Sequence, residues 1–303
     1  MLERISQLND QPINKNGSYV LYWVQASPRT SYNPALELAC QRANEAGKPL
    51  AVVFALSSPK AGGFSPLANR RSYSFLLQGL LDFGLRLREE KGVSLFIAWT
   101  GSKGKVDTIE KLASKAVEVI VDMGYLRQQR QWYDDLADCL PCKLTQVESN
   151  VVVPIRLVSS KEEFAARTIR PKIWKHAPSY LKPLLSIKLQ ALFFHPPSIF
   201  SASSSASSTE ESESTISYGI DSLLDRLDLD NTGGYTEASK RLELFVAKKL
   251  TQFDQDRNFP GRDAASKMSP YLHFGHISPV EIVLAVNAAK APKAAKAFSS
   301  QPT

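Results

Sequence analysis

The chain has 303 residues, of which 43% are hydrophobic and 22% charged, a balance typical of a globular protein with a sizeable core. The net charge of +7 moderately favours an anionic partner such as nucleic acid. No apolar run reaches the roughly 18 residues of a membrane span, and the N-terminus lacks the apolar core of a secretory signal. We therefore expect an intracellular protein, cytoplasmic or nuclear, with no membrane partner.

Three cysteines, Cys40, Cys139 and Cys142, are too few for a disulfide framework and favour a reducing compartment. Cys139 and Cys142 form a C-x-x-C pair, but no second pair exists to complete a zinc site. We interpret them as structural thiols, with a redox pair as the alternative.

Residues 1–17 form a polar lead-in, and from residue 18 apolar runs of strand type alternate with amphipathic helices. The predicted strands are Tyr19–Val24, Leu50–Leu56, Val93–Trp99, Glu118–Asp122 and Leu144–Val147. Asn33 is a predicted N-cap and Gly47 a predicted helix end, and further helices are predicted over 70–91, 106–115 and 128–139. The alternation predicts an open parallel α/β domain over 18–158, whose ligands bind beyond the carboxyl ends of the strands. The GSKGK stretch at Gly101–Lys105 lacks the spacing of a P-loop.

The amino-acid composition changes several times along the second half of the chain. Residues 159–194 are a predicted connector that contains the basic run ARTIRPKI, Ala166–Ile173, which a solvated charged face also explains. Residues 195–217 are a predicted disordered, serine-rich insertion, because such a composition cannot bury enough apolar area to order itself. Residues 218–286 are predicted to be helical, and 287–303 form a predicted disordered tail.

The stretch SKMSPYLHFGHIS, Ser266–Ser278, combines two hydroxyls three residues apart with a proline suited to the first turn of a helix. Helix N-termini attract phosphate, so Ser266 and Ser269 are a candidate seat for a diphosphate, and a capped helix start without ligand is the alternative. His273 and His276 lack further ligands nearby, so no metal site is expected.

SKMSPYLHFGHIS resembles the flavin-binding signature of the photolyase/cryptochrome family. The stretches YVLYWVQASPRTSYNPALELA, RRSYSFLLQGL and ARTIRPKI are similar to those of one branch, the class II photolyases that repair cyclobutane pyrimidine dimers. The motifs agree in order from about residue 18 to 286. The resemblance implies a fold in which an α/β domain, carrying an antenna chromophore of unknown identity, precedes an α-helical FAD-binding domain that is incomplete here.

The resemblance also implies an activity, that of a deoxyribodipyrimidine photo-lyase. Reduced FAD absorbs light and passes an electron to a dimer flipped out of damaged DNA, and the protein acts as a monomer without a metal. Carried over by position, the FAD-binding residues are Phe253, Ala265, Ser266, Lys267, Met268 and Ser269, and the DNA-binding residues are Arg257 and Asn258. No catalytic residue is assigned.

Three departures qualify the resemblance. Ala265 stands where threonine is common and Phe253 where tyrosine is common, and each loses a hydrogen bond to a charged group, worth about 1.5–3 kcal/mol. The family's tryptophan relay follows the flavin signature, whereas Trp174 is the last tryptophan here. We therefore expect a photolyase truncated at its C-terminus, with its apolar stripe from Ala238 to Phe253 partly uncovered and low solubility as a result.

Two alternatives to a photolyase fragment remain. One is a non-catalytic, photolyase-like α/β protein that binds a nucleotide or chromophore. The other, which ignores the resemblance, is a nucleotide-binding α/β protein with a helical appendage.

Overall fold

The computed structural model describes residues 2–57, 70–100, 104–190, 216–217 and 232–289. Most of the predicted serine-rich insertion, the first part of the predicted helical segment and most of the predicted tail lie outside these residues. No helix in the described part is long and apolar enough to cross a membrane.

A sheet of seven strands in the order β1-β6-β5-β2-β3-β4-β7 forms the centre of the fold. The strands are β1 Ile5–Gln7, β2 Tyr19–Val24, β3 Leu50–Ser57, β4 Leu95–Thr100, β5 Ala116–Asp122, β6 Lys143–Val147 and β7 Ile216–Ser217. The five inner strands pair in parallel, which confirms the predicted α/β class. Every residue of β2 and of β5 is buried, because helices cover both faces of the sheet.

Both edge strands are antiparallel, and the sequence did not predict either. β1 lies in the predicted lead-in and pairs with β6, while β7 lies at the end of the predicted disordered insertion and pairs with β4. The sheet is therefore mixed, and Ile216–Ser217, at the end of the predicted insertion, forms a short strand. Strands of two or three residues are too short to show the alternation by which strands are recognised. Tertiary contacts fix β1 instead, since buried Arg4 donates hydrogen bonds to the carbonyl oxygens of Glu148, Val151 and Val152.

Helices pack on the two faces of the sheet and continue beyond it. They are α1 Pro34–Ala46, α2 Arg70–Lys91, α3 Gly104–Ala113, α4 Arg127–Cys139, α5 Ile155–Val158, α6 Ala166–Tyr180, α7 Tyr235–Leu244, α8 Phe253–Asp256, α9 Ser269–His273 and α10 Pro279–Ala288. The Asn33 side chain caps α1 and Gly47 ends it in the left-handed region, as the sequence predicts. One core layer lies between the sheet and helices α1 and α2, and a second contains residues of α3 and α4.

The apolar stripe of the helical segment is largely covered, with Ala238, Leu242, Phe245 and Leu250 buried and Val246 and Phe253 half-buried. A π turn, Phe245–Lys249, follows α7, so the stripe changes direction part-way along. Ala238 and Leu242 cluster with Phe75 of α2, and Phe245 and Leu250 cluster with Val286 of α10. The cover comes from α2 and α10, which lie outside the sequence of the stripe.

Candidate functional site

The start of the helical segment 232–289 is hydrogen-bonded to side chains of α2. Gly234, at the N-cap of α7, has no side chain, and Asp82 of α2 replaces one by accepting hydrogen bonds from the amides of Tyr235 (2.8 Å) and Thr236 (3.2 Å). One residue earlier, the amide of Gly233 donates to the Gln78 side chain at 2.6 Å. A neighbouring helix of the α/β domain therefore caps and orients α7.

His276, later in the same segment, also contacts the junction between α2 and the start of α7. Its ring is fully buried, stacks on Phe75 with centroids 5.1 Å apart, and accepts a hydrogen bond from the Gly234 amide at 3.1 Å. Burial lowers the pKa of His276 to about 3, so the ring is neutral. No group of three or more metal-ligating side chains occurs among the described residues.

A buried arginine joins the flavin-type signature to the α/β domain. Arg29, fully buried in the loop after β2, donates to the carbonyl oxygen of Gly275 at 2.8 Å and to that of Ser149 at 2.8 Å. Gly275 has φ 70°, and a Cβ there would lie 1.8 Å from the carbonyl oxygen of Ala26. Only glycine fits at this position. The end of the signature therefore packs directly against the loop after β2.

Asp122 at the carboxyl end of β5 holds that loop in place. Its buried carboxylate accepts hydrogen bonds from the amides of Gln25, Ala26 and Ser27 and from the Ser27 hydroxyl. Burial raises the pKa of Asp122, and the four donors oppose that effect. No motif in the sequence indicates the roles of Arg29 and Asp122, because most of their partners are distant in the chain.

The residues carried over for FAD lie on the loop before α9 and at its start. Met268 is buried, Ser266 is half-buried, and Ala265, Lys267 and Ser269 are exposed. Lys267 has φ 56°, an unusual left-handed conformation for a residue other than glycine. Within the described part of the chain, neither serine hydroxyl has a hydrogen-bond partner, so both remain available to a ligand.

Asp263 brings two lysines together beside these serines. Its carboxylate oxygens lie 2.9 Å from the ammonium groups of both Lys249, in the π turn, and Lys267. The hydrogen bonds from the two lysines lower the pKa of Asp263 to about 2. Two ammonium groups and one carboxylate leave the cluster positively charged.

The remaining carried-over residues are on α8 and directly after it. Phe253 is half-buried against Phe245, with ring centroids 5.4 Å apart. Arg257 and Asn258 are exposed, and the Arg257 guanidinium lies 5.9 Å from the Phe253 ring and 3.5 Å from the Asp254 carboxylate. The structure thus brings Arg257 to Phe253 and Lys267 to Lys249.

The donor chemistry of the loop fits the diphosphate of a dinucleotide. Two hydroxyls without partners and two lysines supply donors and charge to phosphate oxygens, and buried Met268 gives the loop an apolar support. Cavities of about 520 Å³ and about 160 Å³ lie elsewhere, around residues 150–163 and 179–184 respectively. Neither includes a residue between 253 and 269.

Lys105 is a feature of the α/β domain that sequence reasoning missed. It is the second residue of α3, which follows β4 at the carboxyl end of that strand, and its ammonium group lies 4.6 Å from the centre of the Trp132 ring. Desolvation lowers the pKa of Lys105 to about 8. This edge of a parallel sheet is where α/β proteins bind ligands, and Lys105 places a cation there.

The two cysteines of the C-x-x-C pair are free, Cys139 exposed and Cys142 buried. Burial raises the pKa of Cys142 to about 11, so it is almost entirely a thiol at neutral pH. This environment suits a structural residue.

Comparison with known proteins shows the family to which the chain belongs. The family model described as DNA photolyase matches residues 20–188, more than half of the chain. The chain belongs to the DNA photolyase family. It is similar to the deoxyribodipyrimidine photo-lyase of Methanothermobacter thermautotrophicus, with 38% identity over 93% of this chain and 59% of the relative. A protein of the same name from Potorous tridactylus is 28% identical over 88% of this chain and 47% of the relative.

Solved structures of the photolyase family share the fold. A photolyase from Sulfolobus tokodaii, described with two FAD molecules, has a TM-score of 0.66 at 16% identity, covering 91% of this chain and 56% of that one. A class III photolyase from Agrobacterium tumefaciens has a TM-score of 0.60 at 18% identity, covering 93% and 58%. The chain thus spans about half the length of the relatives it matches.

Proposed function

We propose that this chain acts in the light-driven repair of cyclobutane pyrimidine dimers in DNA, as the N-terminal part of a class II photolyase that works as a monomer. Family membership supports the reaction, and the stretches similar to class II proteins support the class. Because the substrate is DNA, the protein would act in the DNA-containing compartment of its cell.

The observation that carries the proposal is the pair of unpartnered hydroxyls on Ser266 and Ser269, beside Lys249 and Lys267. We propose that these four side chains hold the diphosphate of FAD, with the lysines neutralising charge and the hydroxyls fixing its position. When bound and reduced, FAD would supply the electron that opens the cyclobutane ring. The Asp263 carboxylate holds the lysines in place until the phosphates share them.

The exposed pair Arg257 and Asn258 is proposed to contact DNA. Both lie just past α8, where Arg257 is already positioned over Phe253. A guanidinium and an amide both donate to phosphate oxygens, so the pair suits the backbone of the damaged strand. The absence of hydroxyls at Ala265 and Phe253 predicts weaker FAD binding than in relatives that carry them.

The test is a titration of the full chain with FAD, followed by flavin fluorescence, with Ser266→Ala, Ser269→Ala and the control Ser160→Ala. Ser160 is exposed and lies on a loop outside the cluster. Each site variant should raise the Kd for FAD about tenfold to a hundredfold, since a hydrogen bond to a charged group contributes about 1.5–3 kcal/mol. The control should bind like the unaltered chain.

Repair is then measured on an oligonucleotide with one thymine dimer, under blue light and with FAD bound. Dimer loss that depends on light and on FAD would support the proposal. Failure of the unaltered chain to bind FAD would overturn it for this chain.

The second candidate, a non-catalytic α/β protein that binds a nucleotide or chromophore, is favoured by Lys105 at the carboxyl edge of the sheet. Binding of a nucleotide or deazaflavin that Lys105→Gln abolishes, with no FAD bound, would support this candidate instead.

A further inference from the structure

Helix α6 lies in a part of the chain whose charge has a single sign. Every charged residue from 164 to 190 is basic, and these residues are Arg167, Arg170, Lys172, Lys175, Lys182 and Lys188. All of these positions lie in the described part of the chain. A surface built mainly from this stretch carries net positive charge, although Glu162 and Glu163 directly precede it and Glu163 pairs with Lys172.

The two faces of α6 differ sharply. Ile169, Ile173 and Ala177 face inward and cluster with Val153 and Val158. The exposed residues of α6 include Arg167, Arg170, Trp174 and Lys175. Arg167, Arg170 and Trp174, spaced by three and four residues, follow one line along a helix with 3.6 residues per turn, and Lys175 lies about 100° further round the helix beside Trp174. These four exposed side chains form the basic stripe.

Trp174 is the unusual member of this basic stripe, because its large ring is 41% exposed among cations. A second aromatic ring extends the surface, since Phe164 is 80% exposed and the Arg167 guanidinium lies 5.8 Å from its centre. Lys172, whose ammonium group bonds to Glu163, lies to the side of the stripe. Cations interleaved with exposed aromatic rings are the composition of nucleic-acid surfaces.

We propose that the basic stripe of α6, Arg167, Arg170, Trp174 and Lys175, binds the sugar–phosphate backbone of duplex DNA. The cations would contact phosphates, and Trp174 would pack against the sugars between them. This proposal rests on the proposed function for its choice of DNA, but it concerns a different element from Arg257 and Asn258.

The packing of α6 favours DNA over a membrane. An amphipathic helix that binds a lipid surface inserts its apolar face, whereas the apolar face of α6 packs against Val153 and Val158 of the α/β domain. The face left to a partner is cationic, and a regular row of phosphates complements it.

The test uses the full chain and a fluorescent, undamaged DNA duplex, with binding followed by anisotropy across a salt series in the dark. The variant Arg167→Gln with Lys175→Gln is compared with the control Lys15→Gln with Lys115→Gln. The control makes the same charge change at exposed positions before β2 and before β5.

Loss of two phosphate contacts should reduce the slope of log K against log salt by about 1.8, since each contact contributes about 0.9. The affinity at about 0.1 M salt should fall about tenfold, and Trp174→Ala should weaken binding with no change in slope. The control variant should keep both the affinity and the slope of the unaltered chain.

Three results would overturn the proposal: no duplex binding by the unaltered chain, equal losses in the stripe variant and its control, or binding to anionic vesicles in place of DNA. The assay needs neither FAD nor light. A chain that fails to bind FAD but shows the stripe-dependent slope would therefore overturn the proposed function and leave this inference standing.

Discussion

The sheet and the helical segment are stabilised in different ways. The inner strands of the sheet are buried between two large side-chain layers that come from the α/β domain itself. The helical segment 232–289 has two small clusters, and one of them includes Phe75 of α2. Its first helix is capped by Asp82, and its signature loop is held by Arg29. The segment that carries the candidate site thus depends on the α/β domain for its position.

This difference predicts that changes at the junction release the helical segment before they unfold the sheet. The largest effect is expected for Gly275→Ala, because the new Cβ would meet the Ala26 carbonyl oxygen at 1.8 Å. The left-handed conformation adds about 1–2 kcal/mol for any residue with a Cβ. Amides of α9 and α10 should lose hydrogen-exchange protection, while those of β2 and β5 keep theirs.

Gly47→Ala is the matched control for this variant. Gly47 has a similar φ of 60°, but no atom lies within 4 Å of a Cβ there. The control therefore carries the conformational strain without the clash, and equal effects of both variants would show that the approach to Ala26 is unimportant.

Asp82→Ala should have an intermediate effect. The change leaves the amides of Tyr235 and Thr236 without their acceptor, and loss of a helix cap costs about 0.5–2 kcal/mol. Asp82→Asn keeps an acceptor oxygen and should recover most of the stability in denaturant unfolding. A sheet probe, such as fluorescence of buried Trp23, should change at the same denaturant concentration in all three proteins.

The smallest effect at neutral pH is expected for His276, whose contribution emerges in acid. Its pKa is about 3 in the folded protein and about 6.5 when unfolded, so the unfolded state binds the proton first. Stability from this group is therefore present above pH 6.5 and is lost as the pH falls towards 3, by up to about 1.4 kcal/mol per pH unit.

His276→Gln removes that proton uptake while keeping a polar group for the Gly234 amide. Denaturant unfolding at a series of pH values should give a shallower acid decline for the variant than for the unaltered chain. Parallel declines would mean that His276 does not titrate on unfolding.

The predictable part of the fold is the part encoded locally. Apolar runs long enough to show a pattern revealed the five inner strands, and Asn33 and Gly47 marked the ends of α1. Other features depend on partners distant in sequence, so no local pattern predicts them. These are the edge strands β1 and β7, the π turn and the cover over Ala238 and Leu242. The roles of Arg29, Asp122 and His276 were missed for the same reason.

For the candidate site, sequence resemblance supplied Phe253, Arg257, Asn258 and the loop 265–269, and their roles remain predictions. The structure added the lysine pair around Asp263 and the close approach of Gly275 to the carbonyl oxygen of Ala26. Neither follows from the motif alone, because both depend on how the chain folds back on itself.

The pairing of β1 with β6 has a consequence for the order in which the protein assembles during synthesis. β1 leaves the ribosome before β2, β3, β4 and β5, yet its partner β6 is the last parallel strand of the described sheet to be made. Until β6 emerges, Ile5–Gln7 has no edge to join, and Arg4 lacks the carbonyl oxygens that it binds. β1 therefore pairs with β6 near the end of domain folding. It then covers a sheet edge that would otherwise remain open to other chains.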